Sequence, residues 1–573
     1  MNGRGEYLSV QNPQQLDSAL ERAFLSFTQA VSSTSSAAFN STSLEEGTLL
    51  FRGFYDLRFN TGELTATRVE RDGTLAEVPL WRAAEQLDSR PATERVLVTW
   101  NRASETGTPF RYANLNADQK STLSEAEVLF LRGDRSVEAP AGALRKRELT
   151  RGLLGDIVNS SPVFFGPPRA INRDQAPYPT NNLYSTFASA RAGRTPLIYV
   201  GANDGLLHGF QANTGRELFA FVPNKLIDGA LASRNVLDQF ASPFYQHRYF
   251  VDLTPRLNDA YIATGGSAKA WRTVLIGGLG AGGKGYFALD VTDPGRFASE
   301  ADAAGTVLWE FTDEDDTYPL DAAGTTLGGS VGAIRDPGNA PVKDLGYALS
   351  LPTVAMSNVV DADGEQAWIA LFGNGQNATA GIAKLFALFI DKGTDGWDAG
   401  EVIKLDTGFG VPTSGPLTGF PNGLGAPTPV DQDLNGTVDR VYAGDRLGNV
   451  FRFDISKPNP RDWTVTRLFT ARYTRNGVNT LQPVLAQPLV IKHPTETGFL
   501  VIFGTGSYVS RDDARNQDIQ SLYAIWDRGE AAPATARDSR ETRLIRQTLS
   551  NVQDTASVPA VTRRVFLDTQ AVE

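Results

Sequence analysis

A strand-rich unit occurs five times along the chain, and this repeat constrains the fold more than any other feature of the sequence. Each copy begins with a proline and an apolar strand, continues with a second apolar strand ending in glycine, and usually closes with a third strand ending in aspartate. The glycines that end the second strands are Gly201, Gly277, Gly373, Gly444 and Gly504. Successive antiparallel units of this kind indicate a β-propeller, whose sheets are arranged as blades around an axis.

The spacing of the copies shows how this propeller differs from a simple one. The glycines lie farther apart than the about 40–50 residues of a plain blade, so long loops must be inserted. Together with the strands that follow Thr48, the sequence predicts an all-β protein, a modified β-propeller of at least six and about seven blades. A pair of β-sandwiches is the alternative, but sandwiches do not require the same order of proline, glycine and aspartate in five units.

The N-terminal part of the chain has a different pattern. Apolar residues recur at helical spacing in residues 13–28, which predicts a short amphipathic helix. The Ser/Thr/Ala-rich stretch that follows is typical of a linker. The sequence therefore predicts a helix and linker in residues 1–46 and one β-propeller domain in residues 47–573.

Composition excludes several classes of protein. The chain has 65 acidic and 54 basic residues, a net charge of -11, which disfavours binding to nucleic-acid phosphates. It contains no cysteine, so thiolate metal sites, cysteine nucleophiles and disulfides are excluded. No transmembrane span is predicted. The first residues lack the apolar core of a signal peptide, and we expect the sequence to be a fragment of an exported protein whose signal lay upstream.

The segment DQDLNGTVD, residues 431–439, has the spacing of a calcium-binding loop. Oxygen atoms are available at alternate positions, as in an EF-hand loop, and a glycine permits the sharp turn at position 6. Ca²⁺ prefers about six to eight oxygen ligands, and carboxylates held together without a cation repel one another. The predicted ligands are Asp431, Asp433, Asn435, Thr437 through its backbone carbonyl, and Asp439.

Two features distinguish this loop from that of a helix–loop–helix hand. Position 12 is Tyr442 rather than glutamate, and the flanking segments are strands. The prediction is therefore a strand–loop–strand site with more water and weaker binding than an EF-hand, the alternative being a solvated acidic turn. A second pair, Asp361 and Asp363, occupies the same loop of the preceding unit, where a plain turn is favoured.

Three further motifs carry weaker predictions. Arg132, Gly133 and Asp134 form an RGD tripeptide, for which a plain turn is favoured over a host-surface ligand that binds integrins. The segment GLGAGGKG, residues 278–285, lacks the hydroxyl that a phosphate-binding loop places after its lysine, so a glycine-rich turn is favoured. The three histidines are scattered, and His208 is predicted to be a satisfied core or edge residue.

Four segments together resemble one family. They are LLGDIVNSSPVFFG (153–166), IYVGANDGLLHGFQANTGRELFAFVPN (198–224), WIALFGNG (368–375) and DQDLNGTVDRVYAGDRLGNVFRFD (431–454). These segments resemble the C-terminal propeller of the PilY/PilC family of type IV pilus biogenesis factors, whose propeller is similar in fold to quinoprotein dehydrogenases.

The resemblance implies a non-enzymatic pilus tip adhesin at the cell surface, associated with the outer membrane or the periplasm. It also implies that Ca²⁺ in the loop of residues 431–439 regulates pilus extension against retraction, and with it twitching motility and surface attachment. Minor pilins and the pilus machinery are the implied partners. A quinoprotein-like oxidoreductase that uses pyrroloquinoline quinone is the alternative, although such enzymes often use a vicinal disulfide that this chain cannot form.

Overall fold

The computed structural model consists mainly of β-strands. It describes residues 34–39, 48–56, 59–168, 172–227, 237–316, 343–394, 396–397, 400–413, 418–475, 478–510, 513–529, 550–553 and 563–566. Within these ranges the strands form six sheets of three or more strands and two separate hairpins. Consecutive strands are neighbours in most sheets, which is the arrangement expected of propeller blades.

The first three sheets come from the N-terminal half of the chain. Sheet 1 contains β1 (Thr34–Phe39), β2 (Leu49–Asp56), β3 (Thr61–Arg68) and β4 (Trp81–Arg82). Sheet 2 contains β5 (Leu97–Asn101), β6 (Thr106–Pro109), β7 (Val163–Phe165), β8 (Leu197–Gly201), β9 (Leu207–Gln211) and β10 (Glu217–Val222). Sheet 3 contains β11 (Arg256–Ile262), β12 (Ala270–Gly278), β13 (Gly285–Asp290) and β14 (Val307–Thr312).

The other three sheets and the hairpins follow in chain order. Sheet 4 contains β15 (Thr353–Val360), β16 (Gln366–Gly373), β17 (Lys384–Phe389) and β18 (Val402–Asp406). Sheet 5 contains β19 (Thr428–Val430), β20 (Arg440–Gly444), β21 (Asn449–Asp454) and β22 (Thr464–Thr470). A hairpin of β23 (Arg472–Arg475) and β24 (Val478–Leu481) precedes sheet 6, which contains β25 (Leu489–Lys492), β26 (Phe499–Gly504) and β27 (Leu522–Asp527). The second hairpin pairs β28 (Ser550–Gln553) with β29 (Arg563–Phe566).

The helices are short and lie in the connections between strands. They are α1 (Ala83–Asp88), α2 (Ala117–Thr122), α3 (Glu125–Leu131), α4 (Tyr184–Ala190), α5 (Asp238–Ala241) and α6 (Glu300–Ala304). Single turns of 3₁₀ helix occupy Ala92–Glu94, Tyr112–Asn114, Asn224–Leu226, Gly280–Gly282, Pro294–Ala298, Pro460–Asp462 and Asp513–Arg515. No helix in the described ranges combines the length and the apolar character needed to cross a bilayer.

The repeat read from the sequence coincides with the strands of sheets 2 to 6. The second strand of each repeat unit (β8, β12, β16, β20 and β26) ends at the repeat glycine or one residue beyond it. Close approach between chain segments explains the glycine at two of these positions. A Cβ atom on Gly373 would lie 2.2 Å from the carbonyl oxygen of Gly425, and one on Gly444 would lie 2.5 Å from that of Val484. In both cases the oxygen belongs to the chain that leads into the next sheet, so glycine allows adjacent sheets to pack closely.

Aromatic side chains fill the space between successive sheets. Every residue of β8 is buried, and so is every residue of β16 after Gln366, as expected for strands covered on both faces. Ring pairs with centroids 4.0–6.1 Å apart join each sheet to the next: Phe51–Phe164, Phe221–Phe287, Tyr286–Phe372, Phe409–Phe451 and Phe469–Phe503. This packing confirms the predicted all-β propeller class, with six such sheets in the described part of a chain predicted to have about seven blades.

The structure differs from the sequence prediction in two places. Residues 34–39, predicted as linker, form the edge strand β1, which pairs with β2 through Phe39 and Leu50. Strand pairing uses backbone groups, so serine and alanine can occupy an edge despite their poor β propensity. Sheet 2 is also extended by β5, which runs parallel to β10. The helix predicted in residues 13–28 lies outside the described residues.

Candidate metal centre

The predicted calcium loop connects the first two strands of sheet 5. Val430 at the end of β19 is paired with Arg440 at the start of β20, so the two ends of the loop meet. The N–H of Asp439 donates a hydrogen bond to the carbonyl of Val430 (3.0 Å), which closes the loop at its base. The position is a strand–loop–strand turn, as the sequence predicts.

Three of the predicted ligands have carboxylate oxygens close enough to share a cation. One oxygen each from Asp431, Asp433 and Asp439 lies within 4.8 Å of the other two. Oxygen ligands bind Ca²⁺ at about 2.3–2.6 Å, so two ligands on opposite sides of the ion are about 5 Å apart. The separation of these carboxylates is therefore compatible with ligation of one Ca²⁺, and all three are the hard oxygen donors that this ion prefers.

Backbone N–H groups orient the carboxylates at the start of the loop. The N–H of Asn435 donates to Asp431 Oδ1 (3.1 Å) and to Asp433 Oδ1 (3.2 Å). The N–H of Gly436 donates to Asp431 Oδ2 (2.7 Å), and the N–H of Gln432 donates to Asp439 Oδ2 (2.8 Å). The loop thus folds back on its own aspartates, as Asx turns do.

The other two predicted ligands have a different orientation. Asn435 Nδ2 donates to Asp433 Oδ2 (3.1 Å), while Asn435 Oδ1 accepts from the N–H and the hydroxyl of Thr437 (both 2.7 Å). Asn435 therefore lies beside the carboxylates, but its amide oxygen is engaged with Thr437. The Thr437 hydroxyl is also 2.8 Å from Asn358 Oδ1 and is buried. The prediction assigns the backbone carbonyl of Thr437, and not this hydroxyl, to the ion, and that assignment stays a prediction.

Asp439 is the most buried of the three acids. Burial raises the pKa of its carboxyl group, and the neighbouring charges of Asp433 and Asp431 raise it further. Repulsion between the three carboxylates costs electrostatic free energy, because groups of like charge are held at short range. A bound divalent cation would offset this repulsion.

Asn358 on β15 is a contact of the loop that the sequence analysis missed. Its Nδ2 donates to the carbonyl of Val438 (3.0 Å) and lies 3.4 Å from Asp439 Oδ1. Asn358 therefore connects sheet 4 to the acidic loop of sheet 5. It is 79 residues from Thr437 in sequence, and no local pattern could have revealed the contact.

The second acidic turn, predicted to be a plain turn, is neutralised by a side chain of the chain itself. Lys269, between β11 and β12, forms an ion pair with Asp361, and its Nζ lies 3.7 Å from Asp363 and 3.6 Å from Glu365. An ammonium group thus faces all three carboxylates of this turn. Among the described residues, no comparable Lys, Arg or His pairs with Asp431, Asp433 or Asp439.

The RGD tripeptide lies in the turn that ends α3, which is the favoured prediction, and the structure gives no support to the alternative of a host-surface ligand. Arg132 is only 3% exposed. Its Nη1 donates to the carbonyl of Phe110 (2.9 Å) and pairs with Glu300 (2.7 Å), and its Nη2 donates to the carbonyl of Arg95 (2.9 Å). The tripeptide terminates α3, and the arginine is held in the core because buried carbonyls require donors.

The remaining motifs have structural roles. His208 is fully buried between Glu217 (2.8 Å) and Asp204 (3.1 Å), as predicted for a satisfied core residue. Burial opposes its charged form, but the two carboxylates outweigh burial and raise the pKa of His208 to about 9. Residues 279–284 connect β12 to β13 through a single 3₁₀ turn at Gly280–Gly282, and strand β13 follows the turn.

The fold and the acidic loop define the class: a β-propeller with long insertions and an acidic strand–loop–strand turn in its fifth sheet. A family model described as the PilY1 beta-propeller domain matches residues 154–562. The chain therefore belongs to the PilY1 family.

Relatives of known name agree with this assignment. The chain is 31% identical over 625 residues to the type IV pilus biogenesis factor PilY1 of Pseudomonas aeruginosa strain UCBPP-PA14, covering 100% of this chain and 47% of that protein. It is 35% identical over 504 residues to a PilY1 homolog of Xylella fastidiosa, covering 87% of this chain and 34% of that protein. The chain thus spans half the length of these curated relatives or less.

Among solved structures, the chain is similar to the crystal structure of the Pseudomonas aeruginosa PilY1 C-terminal domain. The two share 32% sequence identity, and the match covers 68% of this chain and 70% of the other, with a TM-score of 0.46.

Proposed function

We propose that this chain is the calcium-binding propeller of a type IV pilus biogenesis factor, without catalytic activity of its own. The family assignment supports the pilus role, since the curated relatives are named type IV pilus biogenesis factors. The loop of residues 431–439 supports the calcium role. Asp431, Asp433 and Asp439 would hold the ion, with Asn435 and the backbone carbonyl of Thr437 completing the protein ligands.

The observation that carries this proposal is a contrast between two neighbouring turns. In sheet 4, the acidic turn containing Asp361 is neutralised by Lys269. In sheet 5, three carboxylates with oxygens within 4.8 Å of one another have no such partner among the described residues. A bound cation would offset the mutual repulsion of three acids held at such short range.

Bound Ca²⁺ supplies positive charge that compensates the three carboxylates. The chain's own groups then transmit the effect: Asp439 is in contact with Asn358, so sheet 4 and sheet 5 are joined through the loop. A binding event that rigidifies this junction favours whichever conformation of the propeller binds the ion better. We infer that this shift regulates pilus extension against retraction, and that the chain acts at the cell surface or pilus tip in surface attachment and twitching motility.

The partners in this proposal are the minor pilins and the pilus machinery. We expect these partners to contact the propeller near sheet 5, because this sheet carries the acidic loop that changes when the ion binds. In this proposal the RGD tripeptide takes no part in attachment, because Arg132 is buried.

A calcium titration of the purified chain by isothermal calorimetry tests the site. We expect one Ca²⁺ per chain, and none after Asp439→Ala, with an unchanged far-ultraviolet circular dichroism spectrum. Asp363→Ala, in the turn neutralised by Lys269, is the matched control and should leave the stoichiometry at one. Equal stoichiometry in wild type and Asp439→Ala would contradict the choice of loop.

The pilus role is tested in cells that carry the full-length protein. Asp439→Ala should change the number of surface pili and the twitching zone, whereas Asp363→Ala should not. If calcium binding is lost in vitro while piliation and twitching are unaffected, the regulatory role is wrong even though the site exists.

A further inference from the structure

A segment distant in sequence lies against the acidic loop. Residues 172–182, called here the strap, precede α4 and contact the loop through Arg173 and Tyr178. The side chain of Arg173 and the carbonyl of Leu434 are 261 residues apart in the chain and are joined by a hydrogen bond. Nothing in the local sequence pattern of either segment indicates this contact.

The strap is anchored to its surroundings independently of the loop. Asp174 Oδ1 accepts a hydrogen bond from the N–H of Ser185 in α4 (3.0 Å). The indole Nε1 of Trp271, on β12, donates to the carbonyl of Asn182 (2.9 Å). The ring of Tyr178 stacks on the same Trp271, with centroids 6.3 Å apart. These contacts fix the strap to sheet 3, so it meets the loop as a preformed surface.

The strap touches the two residues of the loop whose backbone is left-handed. Leu434 has φ +62°, an unusual value for a bulky residue, and Gly436 has φ +108°. Arg173 Nη1 donates to the carbonyl of Leu434 (3.0 Å). The ring of Tyr178 lies directly over Gly436, where a Cβ atom would come within 2.8 Å of the ring carbon Cε2 and of the hydroxyl oxygen.

This turn determines where the carboxylates point. The N–H groups of Asn435 and Gly436, within the turn, donate to the carboxylates of Asp431 and Asp433. If the turn relaxed, those hydrogen bonds would be lost and the oxygens would diverge. A turn that is already ordered before the ligand binds loses less conformational entropy on binding, and this strengthens binding.

Resting on the calcium site proposed above, we propose that Arg173 and Tyr178 are positioning residues for that site. They hold the turn from Leu434 to Gly436 in the conformation that presents Asp431 and Asp433 to the ion, and thereby raise the affinity of the loop for Ca²⁺. Neither side chain is a ligand. Because coupling is reciprocal, an occupied loop stabilises the docked strap by the same factor.

The positive charge of Arg173 acts in the opposite direction. A guanidinium group near the carboxylates lowers their affinity for a cation by Coulomb repulsion. Arg173 is exposed, so water and salt screen this repulsion, whereas its hydrogen bond to Leu434 is local. The hydrogen bond therefore determines the sign of the effect, and removal of the side chain should weaken rather than strengthen Ca²⁺ binding.

Calcium titrations of four variants of the chain test this inference. Arg173→Ala and Tyr178→Ala should each weaken Ca²⁺ binding about 10-fold, the lower end of the effect of removing groups that orient metal ligands. Tyr178→Phe keeps the ring over Gly436, and Arg173→Lys keeps a donor, so both should restore most of the affinity. The stoichiometry should stay at one in all four.

A second measurement separates positioning from simple stabilisation of the fold. Hydrogen–deuterium exchange of residues 172–182 should slow when Ca²⁺ is added to the wild type, and should not respond in Asp439→Ala. Exchange in the turn neutralised by Lys269 should be insensitive to Ca²⁺ in both proteins. The difference in unfolding free energy between calcium and chelator should shrink in Tyr178→Ala, even if the stability in chelator also falls.

The outcomes distinguish this inference from the function on which it rests. If the wild type binds no Ca²⁺ at this loop, both are overturned. If the wild type binds Ca²⁺ but Arg173→Ala and Tyr178→Ala bind it equally well or more tightly, only the positioning role is overturned. The same holds if the exchange of the strap does not change on calcium binding.

Discussion

Lys269 and Asp361 form an ion pair that links the turn between β11 and β12 to the acidic turn of the next sheet. Both side chains are largely buried, with 11% and 18% exposure. The lysine faces Asp363 and Glu365 as well, so one ammonium group compensates three acids. The acidic loop of sheet 5 has the same position in its own sheet but lacks such a partner among the described residues.

We expect Lys269→Met to destabilise the chain because it leaves three acids uncompensated. The free energy of unfolding should fall by about 1–3 kcal/mol, between the values for exposed and buried pairs. Urea denaturation monitored by tryptophan fluorescence measures this change. Lys457→Met, at an exposed position, is the control and should stay within about 0.5 kcal/mol of the wild type. Equal stability of the two variants would show that the ion pair contributes nothing.

Gly436→Ala should impair the acidic loop in two ways. The residue has φ +108°, and the new Cβ would overlap the ring of Tyr178. Gly364, in the neighbouring turn, has φ +80° with no atom near its Cβ position, so Gly364→Ala isolates the backbone strain of about 1–2 kcal/mol. We expect Gly436→Ala to be the more destabilising of the two in chelator and to weaken Ca²⁺ binding.

The double variant Gly436→Ala, Tyr178→Ala distinguishes the two contributions. Removal of the ring relieves the overlap but not the strain, so the second substitution should recover part of the stability lost in the first. Additive losses, measured by urea denaturation in a double-mutant cycle, would contradict a direct contact between Tyr178 and position 436.

Arg132 should be important for stability and irrelevant to attachment. Arg132→Lys cannot supply all the hydrogen bonds to the carbonyls of Phe110 and Arg95 or the geometry of the pair with Glu300. We expect the free energy of unfolding to fall by about 3 kcal/mol. Attachment of cells to integrin-coated surfaces should be unchanged by Asp134→Glu, which keeps the charge of the tripeptide but lengthens its acidic side chain. A loss of attachment would restore the recognition role.

The sequence predicts those features of the structure that depend on local pattern. The proline and glycine of each repeat, with the aspartate that most copies carry, identify the repeat strands within sheets 2 to 6, because turn geometry and close backbone approach require these residue types. The spacing of oxygen-bearing residues likewise places Asp431, Asp433 and Asp439 in one loop, and the structure brings their carboxylates together.

The parts that the sequence does not predict are contacts through space between distant segments. Asn358 and Arg173 contact the loop from other parts of the propeller, and the residues around them in sequence form no motif that predicts these contacts. The parallel pairing of β5 with β10 is also invisible locally, because such pairing needs a long crossover connection. The serines and alanines of β1 predict a linker because they are poor strand formers, although backbone pairing at an edge tolerates them.

A buried carboxyl group should make the stability of the chain depend on pH. Asp252 is 2% exposed, and burial, reinforced by the charge of Asp156, raises its pKa to about 7. Hydrogen bonds from the N–H and Nδ2 of Asn159 lower the pKa but do not outweigh burial. In the unfolded chain the pKa of an aspartate is about 3.9. Between these two values the folded chain binds the proton and the unfolded chain does not.

The sign of the effect follows from this difference. The stability contributed by protonated Asp252 is fully present below pH about 4 and is lost as the pH rises through about 7. Asp252→Asn keeps a neutral acceptor for Asn159 but cannot titrate, so its unfolding free energy should decline less over this window than that of the wild type. Urea denaturation at several pH values measures both profiles, with Asp118→Asn, at an exposed position on α2, as the control. If wild type and Asp252→Asn show parallel profiles, Asp252 is not the group that takes up the proton on folding.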